Sequence, residues 1–166
     1  MKHILALILF FVVSVANADS FYVASNGKVE AYLLGSQAGY ENLFTINFED
    51  VSSTPVTRPA WLSNRENLGT SFDFGTHVAG SQVVFVDRVV DTNNWWYSHT
   101  PFNDDGVKHF IYTPIFLQDH TPAIIGRWED LYGGGDKDFN DSVLLITNVV
   151  SAVPEPETYA MLLIGL

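Results

Sequence analysis

The sequence predicts an all-β fold, a single antiparallel β-sandwich of jelly-roll-like type. Three observations carry that expectation. From Phe21 onward apolar residues recur with period two, the runs are short and bounded by turn-forming residues, and no window shows the 3.6-residue stripe of an amphipathic helix. A chain of 166 residues that is 47% hydrophobic holds enough apolar material for one core, and too little length for two comfortable domains.

The strand-like runs follow in order: Lys28 to Gly35, Leu43 to Phe48, Thr70 to Gly75, Gln82 to Val90, Val107 to Pro114, Ala123 to Asp130 and Ser142 to Val150. Between them stand Ser25-Asn26-Gly27, Gly35 to Gly39, Asp104-Asp105-Gly106 and Gly133 to Gly135, residues that tolerate the backbone angles of tight turns. Alternation assigns faces. Phe44, Ile46 and Phe48 point to the core while Thr45 and Asn47 face out, and Lys108, Phe110 and Tyr112 oppose Val107, His109 and Ile111, which puts His109 on a half-buried face.

The two ends differ from this body. Residues 1 to 18, "MKHILALILFFVVSVANA", combine an early Lys2, an apolar run from Ile4 to Val13 and Ala16-Asn17-Ala18, the small-residue pattern cut by signal peptidase. The run is short of the roughly 20 residues a spanning helix needs. Cleavage after Ala18 is expected, with a domain over 19–152 and a separate tail over 153–166. That tail, "VPEPETYAMLLIGL", resembles the start of the PEP-CTERM sorting signal of Gram-negative bacteria that secrete exopolysaccharide, with Pro154, Glu155 and Pro156 matching its recognition motif. The resemblance implies processing by an exosortase and a secreted or envelope location. The apolar segment stops at Leu166 with no basic tail after it, so the match is partial.

Charge and composition exclude several functions. The formal net charge of −11 repels nucleic acid and makes cations the natural partners. The absence of Cys removes disulfides, thiolate zinc sites and Cys nucleophiles together. The His residues show no close ligand pair such as H-x-x-x-H, and no G-x-S-x-G elbow is present.

One segment concentrates chemistry. "EDLYGGGDKDFND", Glu129 to Asp141, places five carboxylates around three consecutive Gly residues with only Lys137 in opposition. The glycines permit a tight hairpin turn. Asp136, Asp138 and Asn140 alternate, so an extended segment projects their oxygens to one side, and Glu129, Asp130 and Asp141 can approach them. Two readings stay open. In one, hard oxygen ligands of this kind hold Ca²⁺, which takes about six to eight of them; in the other, the Asp and Asn side chains cap the turn's own amides. An EF-hand is excluded, since its sixth-position Gly would fall on Asp141 and its closing Glu on Thr147.

"NLGTSFDFGTHVAGSQVVF", "FNDDGVKHF" and "WEDLYGGGDKDFNDSVLLI" together resemble the DUF4114 domain of secreted bacterial proteins, over about Val29 to Asn148. Trp128 stands where that family usually has Phe. The resemblance implies a β-rich extracellular domain and marks Asp105, His109, Glu129, Asp130, Asp136, Asp138, Asn140 and Asp141 as matching the motif's polar positions.

The expected reading is a calcium-binding, non-catalytic protein of the cell surface or exopolysaccharide matrix. Glu129, Asp130, Asp136, Asp138, Asn140, Asp141 and Asp105 form its ligand pool. "NNWWYSH" adds Trp95 and Trp96 as candidates for stacking on a glycan, with His109 nearby, against the alternative that these rings fill the core. The rival function is a hydrolase of extracellular polysaccharide, in which Glu129 pairs with Asp105 or Asp138 as acid and base.

Overall fold

Alternating β-branched and aromatic residues form eleven strands among residues 20–49 and 61–152, which are the residues that the computed structural model describes. They are β1 Phe21–Val23, β2 Gly27–Gly35, β3 Asn42–Glu49, β4 Leu62–Ser63, β5 Ser71–His77 and β6 Gln82–Val89, then β7 Asn94–Tyr97, β8 Phe110–Phe116, β9 Pro122–Trp128, β10 Ser142–Thr147 and β11 Val149–Ser151. The signal segment and the Pro154-Glu155-Pro156 motif lie outside the described residues.

Two antiparallel sheets result. One runs β11-β1-β6-β3-β4, with β7 also paired to β6, and the other runs β5-β2-β10-β9-β8. Their inner faces meet through aromatic rings: Phe21 and Phe85 of the first sheet lie 5.7 and 5.4 Å from Phe110 of the second, and Phe44 lies 6.2 Å from Trp128. This is the antiparallel β-sandwich that the alternation predicts. Each of these buried side chains contributes on the order of 1.5–3 kcal/mol by leaving water, so Phe85→Ala would cost about 3–5 kcal/mol.

Three expectations need correction. The run Ser142 to Val150 is not one strand, because Asn148 adopts a φ of 57° and turns the chain from β10 in one sheet to β11 in the other. Asn148 holds that corner by accepting from the amide of Ser25 at 3.0 Å and donating to the carbonyls of Ser25 and Lys28. His109 lies before β8 instead of within it and is fully buried, not half-buried. Thr45, expected to face out, is also buried.

The pairing of β9 with β10 positions the acidic loop. Trp128 and Ser142 are register partners, so residues 129–141 leave and re-enter the sheet at one end of the sandwich. The segment before β3 clamps the returning arm: the amides of Gln37 and Ala38 donate to the carbonyls of Asn140 and Asp141, and the Ser36 hydroxyl donates to the Asp141 carbonyl at 2.7 Å.

Candidate cation site

Glu129 and Asp130 follow directly on β9, and the sheet's end carries them inward instead of out to water. They are 1% and 3% exposed. The Asp130 carbonyl accepts from the indole Nε1 of buried Trp96 at 2.8 Å, its amide donates to Oδ2 of Asp141 at 2.8 Å, and its Oδ2 accepts from Nδ2 of Asn42 at 3.1 Å. Two bonds join Glu129 to His109, one between the backbones and one from the imidazole ring. The Glu129 amide donates to the His109 carbonyl at 3.0 Å, and Nδ1 of His109 meets the Glu129 carbonyl at 2.7 Å.

This anchoring brings two sets of oxygens together. Carboxylate oxygens of Glu129, Asp136 and Asp138 lie within 4.8 Å of one another, and so do those of Glu129, Asp130 and Asp141. Glu129 belongs to both sets and sits at their junction, while Asp136 and Asp138 form the open side. Oε2 of Glu129 is buried with no hydrogen-bond partner, which is costly for a carboxylate oxygen that nothing neutralises.

The electrostatics follow from the crowding. Burial first, and then the charges of Asp141, Asp136 and Asp130, push the Glu129 carboxyl up to about 7. Burial and Asp141 raise Asp130 to about 6 against the opposing bond from Asn42. A group absent from the sequence-based set joins them: Asp87 of β6 is fully buried, both of its oxygens lack partners, and burial with the nearby Asp130 and Asp141 drives its carboxyl well above the usual range. Asp87 shares the core-facing side of β6 with Val83, Phe85 and Val89, opposite Phe44 and Trp96 in register. Counting by twos along "VVFVDRV" would have found it, as an acid at a position that alternation assigns to the interior.

Three of the candidate residues play other parts. Asp105 is not free to ligate a cation, because Oδ1 accepts from the Val107 amide at 2.9 Å while Oδ2 accepts from the Gly133 amide at 2.8 Å and meets Nε2 of His109 at 2.9 Å. Burial pulls its carboxyl upward, but those amides and the His109 ring hold it below its ordinary value. Asp105 is thus a brace that ties the Gly-rich turn to His109. His109 is held from both sides, with Nδ1 against the Glu129 carbonyl and Nε2 against the Asp105 carboxylate. Asn140 donates from its side chain to Oδ2 of Asp138, and its amide donates to Oδ1 of Asp138 at 3.2 Å.

The aromatic candidates separate in the same way. Trp96 is 1% exposed and stacks on His109 with centroids 3.7 Å apart and planes within 5°, so neither ring is open to a sugar. Trp95, on the opposite face of β7, is 40% exposed.

No family model matches the chain, and no curated protein matches it. Among solved structures the chain is similar to a Chromobacterium violaceum lectin in complex with alpha-methyl-fucoside, at 14% identity over 80% of this chain and 96% of that one, with a TM-score of 0.49. It is also similar to a Ralstonia solanacearum high-affinity mannose-binding lectin, at 15% identity over 80% and 96% of the two chains, with a TM-score of 0.46.

Proposed function

We propose that this chain is a secreted calcium-binding β-sandwich protein that works without catalysis at the cell surface or in the exopolysaccharide matrix, with a matrix glycan as its partner. In this reading the PEP-CTERM-like tail directs export and is handled by an exosortase. The observation that supports it best is the orphaned Oε2 of Glu129, 1% exposed and set among carboxylates of Asp130, Asp136, Asp138 and Asp141.

Such an arrangement opposes folding on its own. Like charges in a desolvated site repel, and a hard divalent cation with oxygen preference removes the repulsion and replaces the missing partners at once. Glu129, Asp130 and Asp141 would hold the ion from the buried side, and Asp136 with Asp138 from the open side. Capping also operates, since the amides of Asp138 and Asn140 bond to Asp136 and Asp138. These caps leave Glu129 Oε2 and Asp87 unmatched, so capping does not account for the cluster.

The polysaccharide hydrolase is disfavoured by the burial of Glu129. A general acid has to meet the glycosidic oxygen directly, and this carboxyl is closed off beneath the Gly-rich turn.

Isothermal titration of calcium into chelator-treated protein tests the reading. Saturable binding that releases protons near pH 6.5, and that weakens in Glu129→Gln and Asp138→Asn, is expected. No heat of binding at millimolar calcium overturns it.

A further inference from the structure

β7 and the 3-10 turn Thr100–Phe102 border a surface depression of about 360 Å³ lined by Trp95, Tyr97, Phe102 and Asp104, none of which belongs to the cation cluster. We infer that this depression is a glycan-binding site for an uncharged pyranose ring, separate from the cation site. The inference deepens the functional reading above and rests on it only for the source of the sugar.

The residues argue for that ligand class. Trp95 and Phe102 are 40% and 51% exposed, an unusual outlay of aromatic surface within a few residues, and alternation along β7 sends Trp96 to the core while Trp95 and Tyr97 share the outer face. The aromatic face is electron-rich and attracts the weakly positive C–H face of a pyranose. Asp104 adds an exposed carboxylate on the rim, able to accept from two sugar hydroxyls. The volume falls near the lower end of the range for small-molecule sites, about 300–1,000 Å³, which suits one ring of a longer chain.

The platform is also held in place. The Arg88 guanidinium lies 5.5 Å from the Trp95 ring centre, and Trp61 packs edge-on at 5.8 Å. Phe102 sits edge-on to Tyr97 at 5.9 Å and to His99 at 4.6 Å. The Asn103 side chain closes the turn beneath them by accepting from the Tyr97 amide at 2.7 Å and donating to the Val107 carbonyl at 2.8 Å. Rings fixed before the ligand arrives lose little freedom on binding. Charge selects against acidic glycans, because Asp104 lies in the depression and the chain carries a net −11.

Saturation-transfer NMR with laminarihexaose, a neutral glucose oligomer, in excess EDTA tests the site with the cation removed. Transfer to the ring C–H protons is expected with and without calcium, with affinity about tenfold lower in Trp95→Ala and reduced in Asp104→Asn. A hexameric uronate is expected to bind more weakly than the neutral oligomer. Should Trp95→Ala fail to fold, Phe102→Ala carries the same comparison. Absence of transfer in the wild-type chain, equal transfer in Trp95→Ala or Phe102→Ala, or transfer that vanishes with EDTA overturns the inference; the last would move the sugar to the acidic loop and leave the calcium reading standing.

Discussion

Oε1 of Glu129 occupies the space that a side chain on Gly135 would need. A Cβ built at Gly135, whose φ is +41°, would overlap that oxygen and crowd Cβ of Leu131 at 3.1 Å. Gly133, at φ +77°, has nothing within 4 Å of the same position. The third Gly of the run is therefore the one that lets the turn close over the buried carboxylate.

Gly133→Ala is thus expected to cost only the left-handed backbone penalty, about 1–2 kcal/mol, with calcium binding retained. Gly135→Ala should cost more and should also displace Glu129. Chemical denaturation of both variants, with and without calcium, checks this. Equal calcium responses in the two would contradict the role given to Gly135.

The pH dependence follows from the raised carboxyls. Glu129 and Asp130 titrate at about 7 and about 6 in the folded chain, above the ordinary values of 4.5 and 3.8. The folded state therefore binds more protons than the unfolded one between those limits. The stabilisation is fully present below about pH 4 and is lost as pH rises through about 7. Metal-free protein should thus melt lower at pH 7.5 than at pH 4.5, and the rise in Tm given by calcium should grow over the same interval, since the ion binds the deprotonated groups. Calorimetric scans across pH 4 to 8 with calcium or chelator measure both trends.

Much of this was legible in the residues, and the failures have causes. Period-two alternation predicted the sandwich because one face of each strand is buried. The pairing of the strands on either side of the Gly run was readable, but the tight turn and extended arm were not: residues 129–141 separate β9 from β10, and Lys137 and Phe139, at φ 63° and 53°, coil the stretch that alternation makes extended. The corner at Asn148 is hidden in the sequence by β-branched residues on both sides, Ile146 and Thr147 before it and Val149 and Val150 after it, although Asn is among the few residues that adopt positive φ readily. By residue type alone Asp105 is one more acid for the ligand pool, and only the fold reveals that Val107, Gly133 and His109 already occupy its oxygens. Trp95 and Trp96 cannot be told apart by type, only by which face of β7 meets the core.

Asp105→Asn separates brace from ligand. Loss of the charged acceptor for His109 and Gly133 should lower stability by about 1.5–3 kcal/mol, while the stoichiometry of calcium binding stays unchanged. Urea unfolding and calcium titration of the variant provide the two readings. A variant that loses stoichiometry without losing stability would restore Asp105 to the ligand set.

Asp87→Asn tests the buried strand carboxyl. Its charge is strongly disfavoured by burial and by Asp130 and Asp141, so removing the ionisable group should raise metal-free stability at pH 7.5 by roughly 1 kcal/mol and leave it little changed at pH 4. The sign follows from the raised carboxyl, which weakens the fold only as pH rises above the unfolded value. Paired denaturation curves at the two pH values decide it.

The most direct test is an anomalous difference map from a crystal soaked in a calcium-mimicking lanthanide. The account predicts a strong peak about 2.3–2.6 Å from oxygens of Glu129 and its acidic neighbours, with Asp105 outside the coordination shell. A featureless map at that position, with Asp136 and Asp138 turned to solvent at saturating metal, would contradict it.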